Sequence, residues 1–175
     1  GGVFTVSAAR ACYHSSGCVK RWGANEGELD PDDPYTCGAV DPHALGGSGR
    51  AYAGRLGPRM TQIDVGTGRV SLRAELTAAS CSAGTSCAVA GAARGLVACG
   101  GFGGELVLRD PRNGLRAEIQ LATKAHDGGV TAIAARDTLV VTCGATTDRA
   151  GRSRPDAFAK VVDVRVGCRV LNLLQ

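Results

Sequence analysis

Aromatic side chains are scarce: the 175 residues include one Trp, three Tyr and three Phe. Sequence-tolerant binding of single-stranded RNA uses aromatic stacking platforms set in a basic groove, and this chain is poor in such platforms. Twenty Lys and Arg against sixteen Asp and Glu leave a net charge of +4, too small an excess to argue for nucleic acid on electrostatic grounds. No apolar run is long enough to cross a bilayer, and no secretory pattern is present. HExxH, CxxC and phosphate-loop motifs are absent, which leaves no signature of zinc hydrolysis, dithiol redox chemistry or nucleotide binding. The run Gly100-Gly101-Phe102-Gly103-Gly104 joins two strand-like segments and opens no helix, so it fails the context that a dinucleotide motif requires. What remains is a globular composition, 44% apolar and 21% charged, long enough to bury a core.

Against these absences stands a repeat between Gly95 and Asp163. Leu96-Val97-Ala98-Cys99-Gly100 leads to Glu105-Leu106-Val107-Leu108-Arg109-Asp110, and Val140-Val141-Thr142-Cys143-Gly144 leads to Ala159-Lys160-Val161-Val162-Asp163. A third copy of the second half is Met60-Thr61-Gln62-Ile63-Asp64, followed by Val65-Gly66-Thr67-Gly68. The two Cys-Gly pairs lie 44 residues apart and the aspartates 64, 110 and 163 lie 46 and 53 apart, the period of a four-stranded propeller blade. Each apolar run ending in Cys-Gly reads as a buried inner strand, and the run that follows ends on Asp and a Gly- or Pro-containing turn. The spacing therefore predicts an all-β array of hairpins, with at most four blades in a chain of this length. The second hairpin carries about nine extra residues, Asp148 to Asp156, which belong in a loop.

Along the chain, residues 1–22 read as an incomplete blade. Residues 23–49 dissolve into acidic, proline and glycine turn chemistry and read as a long disordered insertion. Residues 50–175 read as about three consecutive blades. The five acidic residues between Glu26 and Asp33 could hold a cation or a basic partner, although such runs are mostly solvated surface. The chain opens on Gly1-Gly2 and stops in a strand-like run at Gln175, so it is expected to be an internal piece of a longer protein. An open array would expose apolar faces and unpaired edges and be prone to aggregate.

The eight cysteines are even in number and would suit disulfides in a secreted domain. Cys99 and Cys143, however, occupy matching places inside apolar strands, where cysteine acts as a small buried hydrophobe. The pairs Cys12/Cys18 and Cys81/Cys87, with His14 inside the first, are spaced more widely than structural zinc knuckles. A reduced, intracellular protein without a metal site is the expectation. His126 precedes a strand-like run and reads as a structural histidine bonded within its blade, with no nucleophile or orienting carboxylate pair nearby. Asp64, Asp110 and Asp163 recur in register, so each should accept hydrogen bonds from the turn after its strand and none is catalytic. Arg149, Arg152 and Arg154, with Lys160 on the returning strand, are the surface candidates for contact with a partner or RNA phosphate. The plainer reading of those four is a solvated loop.

The runs Glu105 to Pro111, Leu139 to Gly144 and Asp156 to Arg165, with Gln62-Ile63-Asp64-Val65-Gly66-Thr67-Gly68, resemble the N-terminal WD-repeat domain of the catalytic subunit of the poly(A)-nuclease deadenylation complex. The resemblance covers most of Met60 to Gln175, and residues 1–59 only in patches, among them Gly2-Val3-Phe4 and Tyr13-His14-Ser15-Ser16-Gly17. The Trp of the generic repeat signature is replaced by Ile63, Arg109 and Val162. The resemblance implies three to four blades of a seven-bladed propeller, belonging to an enzyme that shortens mRNA poly(A) tails from the 3′ end. It implies a pseudokinase regulatory subunit as partner, with poly(A)-binding protein and poly(A) mRNA engaged indirectly, and a cytoplasmic, processing-body location with the nucleus as a second. The family's two divalent ions, Mg²⁺, belong to an exonuclease domain outside this segment, so no residue here is assigned the chemistry and the segment alone is expected to lack nuclease activity. Two other readings stay open. One is a WD-repeat scaffold of an unrelated assembly; the other is an extracellular domain whose cysteines would be oxidised.

Overall fold

Small, β-branched and apolar residues in short runs cut by glycine favour extended backbone, and in the computed structural model they form sixteen strands among the described residues. Those residues are 2–7, 10–15, 18–23, 35–41, 49–64, 67, 70–76, 84–92, 95–166 and 169–174. The first sheet holds β1 (Gly2–Ser7), β2 (Arg10–Ser15) and β3 (Cys18–Gly23). The second holds β4 (Tyr35–Val40), β5 (Arg50–Arg55), β6 (Arg59–Asp64) and β7 (Val70–Glu75). The third holds β8 (Thr85–Ala92), β9 (Leu96–Gly101), β10 (Glu105–Asp110) and β11 (Arg116–Lys124). The fourth holds β12 (Val130–Arg136), β13 (Leu139–Thr147), β15 (Ala159–Asp163) and β16 (Arg169–Leu174), with β14 (Ser153–Pro155) paired to the far end of β13.

Every sheet is an antiparallel meander in chain order. The first strands of neighbouring sheets touch: β1 meets β4, β4 meets β8 and β8 meets β12. Sheets that share their first strands at a common axis and stack face to face make a propeller, so the chain is a partial β-propeller of four blades. Two apolar layers hold the blades together. Val97, Cys99, Val107 and Leu115 of the third sheet pack on Tyr52, Met60, Ala74 and Leu76 of the second. Leu96, Ala98, Leu106 and Leu108, on the opposite face, pack on Val140, Val162 and Val164 of the fourth. The cluster of Tyr35, Ala51, Ala53 and Ile63 lies on the other face of the second sheet.

The repeat is out by one residue from the one the Cys-Gly pairs suggest. Ala51 pairs with Ile63, Val97 with Arg109 and Val140 with Val162, so counting back from the three aspartates makes Cys99 the counterpart of Thr142. A one-residue offset in a strand reverses the face. Cys99 is buried against the second sheet, 3.7 Å from the Met60 sulfur, whereas Cys143 points outward and is exposed. The apolar runs are also second from the axis, since β8 and β12 lie inside β9 and β13.

Two further expectations change. Tyr35–Val40, inside the segment read as disordered, is the innermost strand of the second sheet, with Ala39 opposite Tyr52. Its small residues show no alternation because strands at the axis are crowded. A side chain on Gly54 would come within 2.6 Å of the Cys37 sulfur and 2.8 Å of Thr85 Cβ. The insertion after Asp148 is also more than a loop: Ala145, Thr146 and Thr147 pair with Pro155, Arg154 and Ser153, making a hairpin beyond the blade. The acidic run from Glu26 to Asp33, Cys81 and Cys168 lie outside the described residues, as do the side chains of Cys12, His14, Cys18 and Cys87. Cys143 carries a free thiol.

Cys99→Ser places a hydroxyl in the layer between two sheets and should cost roughly 1–3 kcal/mol in denaturant melts, while Cys143→Ser should stay within about 0.5 kcal/mol of the parent. Equal costs would contradict the register given above.

Candidate functional site

The three recurrent aspartates do one job on three different sheets. Asp64 accepts from the Thr67 amide at 2.6 Å and the Thr67 hydroxyl at 2.9 Å. Asp110 accepts from the Arg112 amide at 2.9 Å and from its guanidinium at 2.8 and 2.9 Å, and Asp163 takes the Arg165 amide at 2.9 Å and its Nε at 3.0 Å. A carboxylate that accepts an amide two or three residues on closes the turn leaving its strand. The Arg112 guanidinium holds the Asp110 carboxyl below the usual carboxylate range, and Arg165 does the same for Asp163. Nothing brings the three together into one site.

His126 lies in the connection before β12 and its side chain is fully buried. Its Nδ1 is 2.8 Å from Asp156 Oδ2 and its Nε2 is 3.0 Å from the Thr142 hydroxyl. The carboxylate that orients the ring is not the adjacent Asp127 but Asp156, delivered from 30 residues downstream by the β13–β14 hairpin. A carboxylate only accepts, so Nδ1 carries a proton and donates it to Asp156, while Nε2 lies within hydrogen-bond distance of the threonine hydroxyl. The chain of groups has the outline of a Thr-His-Asp relay, but Gly144 covers the imidazole so closely that a Cβ there would collide with it. No substrate atom can reach the threonine oxygen, and nucleophilic catalysis needs that access. The network instead ties the connection before β12, strand β13 and the hairpin base into one unit.

Lys160 belongs to this network and not to the exposed surface. It donates to the Ala125 carbonyl and lies 3.3 Å from Asp156. Asp156 also accepts from the Phe158 amide at 3.1 Å. Its carboxyl is held below the usual range, first by the His126 hydrogen bond and then by Phe158 and Lys160.

Arg149, Arg152 and Arg154 stand on the hairpin and are exposed. Asp148 organises the tip: it accepts from the Ala150 and Arg152 amides at 2.9 Å and lies 3.1 Å from the guanidinium of both Arg152 and Arg154. The Arg152 amide is the main reason that its carboxyl sits below the ordinary range. One carboxylate against three guanidiniums leaves the tip cationic, and exposed ion pairs are weak enough to be exchanged for a ligand's acid. Among the described residues no three His, Cys, Asp or Glu gather to hold a metal ion.

Because Asp156 has a folded-state pKa below its unfolded value, its contribution is present above the ordinary carboxylate range and is lost as pH falls through the folded value. Asp156→Asn should therefore melt lower than the parent at neutral pH, with the gap narrowing as pH falls from about 5 to 2. A gap that stays constant over that range in thermal melts would show that the His126 contact does not set the charge of Asp156.

Neither a protein-family model nor a curated protein sequence matches this chain. Solved structures do match in fold. The WD40 domain of Neurospora crassa Pan2 superposes with a TM-score of 0.72 at 15% identity, over 98% of this chain and 48% of that one. A chain of the mitotic checkpoint complex gives 0.71 at 14% identity, over 94% and 45%. The computationally designed Ika8 protein gives 0.62 at 16% identity, over 98% and 48%. The chain spans about half the length of each of these structures, and at such identities the likeness is one of fold: four consecutive blades of a WD40-type propeller.

Proposed function

We propose that the chain is a protein-docking platform and, more narrowly, propeller blades of an mRNA deadenylase. The observation that carries the first part is the fate of the polar groups. His126, Asp156, Thr142 and the three turn aspartates are all engaged in holding the blades and turns, while Leu56 and Phe102 at turn tips and the arginines of the Arg149–Arg154 hairpin face solvent. A rigid stack of sheets displaying loops is suited to binding other macromolecules.

The narrower reading is supported by the motifs around Asp64, Asp110 and Asp163 and by the fold likeness to the Pan2 WD40 domain. Under it the partners are a pseudokinase regulatory subunit and, indirectly, poly(A)-binding protein on poly(A) mRNA, in the cytoplasm. The two Mg²⁺ ions and the carboxylates that cut the tail lie in another domain of the parent enzyme. A scaffold in an unrelated assembly is the alternative, favoured by the likeness to a chain of the mitotic checkpoint complex.

Titrating the purified chain against the pseudokinase subunit and against poly(A)-binding protein loaded on poly(A) tests this directly. Binding to at least one, with no shortening of labelled poly(A) in Mg²⁺, is the expected result. Binding to neither removes the deadenylase reading, and specific shortening removes the platform reading.

A further inference from the structure

Leu56 and Phe102 occupy corresponding positions. They lie 46 residues apart, the same interval that separates Asp64 from Asp110, and each sits at the tip of the turn between the second and third strands of its sheet. Both are exposed, at 46% and 41%, and Phe158, beside the hairpin of the next sheet, is 37% exposed. A single exposed apolar residue is ordinary. The same position left apolar and uncovered on successive blades is a surface feature.

A continuous line of backbone contacts shows that these turns form one rim. The Leu56 carbonyl packs on Gly84 so closely that no Cβ would fit, and the Phe102 amide donates to the Gly84 carbonyl at 3.3 Å. Ala125 and His126 both donate to Gly104 O, at 2.9 and 3.1 Å. Gly128 and Gly129 exchange 2.8 Å hydrogen bonds with Ala145, at the root of the arginine hairpin, and Asp156 donates to Gly144 O at 2.9 Å. The Leu56 and Phe102 turns thus lie against the connections leading into the next blade, and the hairpin root is bonded to the connection leading into its own, so a ligand meeting them loses little freedom in ordering the protein.

We propose that this rim binds an extended acidic peptide, its apolar side chains seated on Leu56, Phe102 and Phe158 and its carboxylates on Arg149, Arg152 and Arg154. The inference rests on the platform reading and names the ligand chemistry of that platform. Complementary charge selects the occupant: the apolar tips end at a cationic arm of three exposed arginines, where the single carboxylate of Asp148 is shared by the guanidiniums of Arg152 and Arg154. A strand of RNA fits less well. Glu105 and the exposed Asp127 stand along the same rim and would oppose a continuous phosphate backbone, whereas a peptide can place its acids at the arm alone. Leu56, moreover, offers no ring for a base to stack on.

The test is selection of a random displayed peptide library, about a dozen residues long, on the purified chain, followed by fluorescence anisotropy with the most enriched peptide. Enriched sequences should combine Asp or Glu with Leu, Phe or Trp. Affinity should fall by about tenfold or more in the Leu56→Ser/Phe102→Ser variant, and again in the Arg149→Glu/Arg152→Glu/Arg154→Glu variant. Both variants alter exposed positions, and a thermal melt matching the parent confirms that each is folded. Enrichment of basic or uncharged peptides, no enrichment, affinity indifferent to either variant, or tighter binding of an oligo(A) probe lost in the same variants would each overturn the proposal. The platform reading is separable: unchanged binding of the pseudokinase subunit or of poly(A)-binding protein by both variants leaves it standing while the rim proposal fails.

Discussion

Burial of the third sheet on both faces is the constraint on which the rest of the structure depends. All six residues of Leu96–Gly101 are buried, with alternate side chains committed to the second sheet and to the fourth. A strand in that position has no solvent face, so it cannot show the apolar-polar alternation of an ordinary surface strand. The fourth sheet supplies the contrast. Leu139 corresponds to Leu96 in the repeat, yet Leu96 is 4% exposed and Leu139 42%, because only one of them is covered by a following sheet among the described residues. Full burial of such a side chain contributes on the order of 2 kcal/mol, and the difference comes wholly from the neighbour, since the strand itself is the same. Blade cohesion is therefore a property of adjacent sheets taken together.

The same constraint explains which parts of the fold were legible in the sequence. The period near 46 residues and the turn after each aspartate are local features, and Asp110 and Asp163 each reach an arginine only two residues away. Strand β4 was not legible. Its Thr, Cys, Gly and Ala are dictated by the crowding around the axis, where Thr36 donates to the Thr85 carbonyl 49 residues away, and a run of small polar residues looks the same as a linker. The register of Cys143 was missed for a related reason. A Cys-Gly pair is a feature of composition, whereas the face a residue occupies depends on what it pairs with across the strand, and Gly100 and Cys143 are the true counterparts. Arg109 shows how far tertiary context can override residue type: a guanidinium is buried where Ile63 and Val162 stand in the flanking sheets, its Nη1 donating to the Leu115 carbonyl at 3.1 Å.

The candidate site divides along the same line. His126 and its surroundings could be read as structural from the absence of a neighbouring nucleophile, but its two partners are 16 and 30 residues away and only the return of the hairpin brings them together. Once Asp156 is in place it takes a histidine nitrogen and the Phe158 amide, and lies beside the Lys160 ammonium. A single carboxylate with that many partners fixes where the hairpin leaves the blade. In the sequence Lys160 stands close to the arginines; its inward direction follows from the alternation along β15, which no count of charges reveals.

The residues left over from these structural duties are the ones with latitude. A turn between strands must satisfy its backbone, and here glycines at 84, 104 and 128 do so by letting neighbouring chain pass close to carbonyl groups. The side chains at the tips answer to no such demand, so their apolar character at Leu56 and Phe102 is not explained by folding. The arginine hairpin follows the same logic with charge. Its backbone is set by Asp148 through the amides of Ala150 and Arg152, while the guanidiniums that share that carboxylate remain in solvent, where pairing contributes little. The arm therefore keeps its shape whether or not its arginines are engaged elsewhere, and this separation of shape from charge lets a surface be rigid and still exchange its ion pairs with a partner.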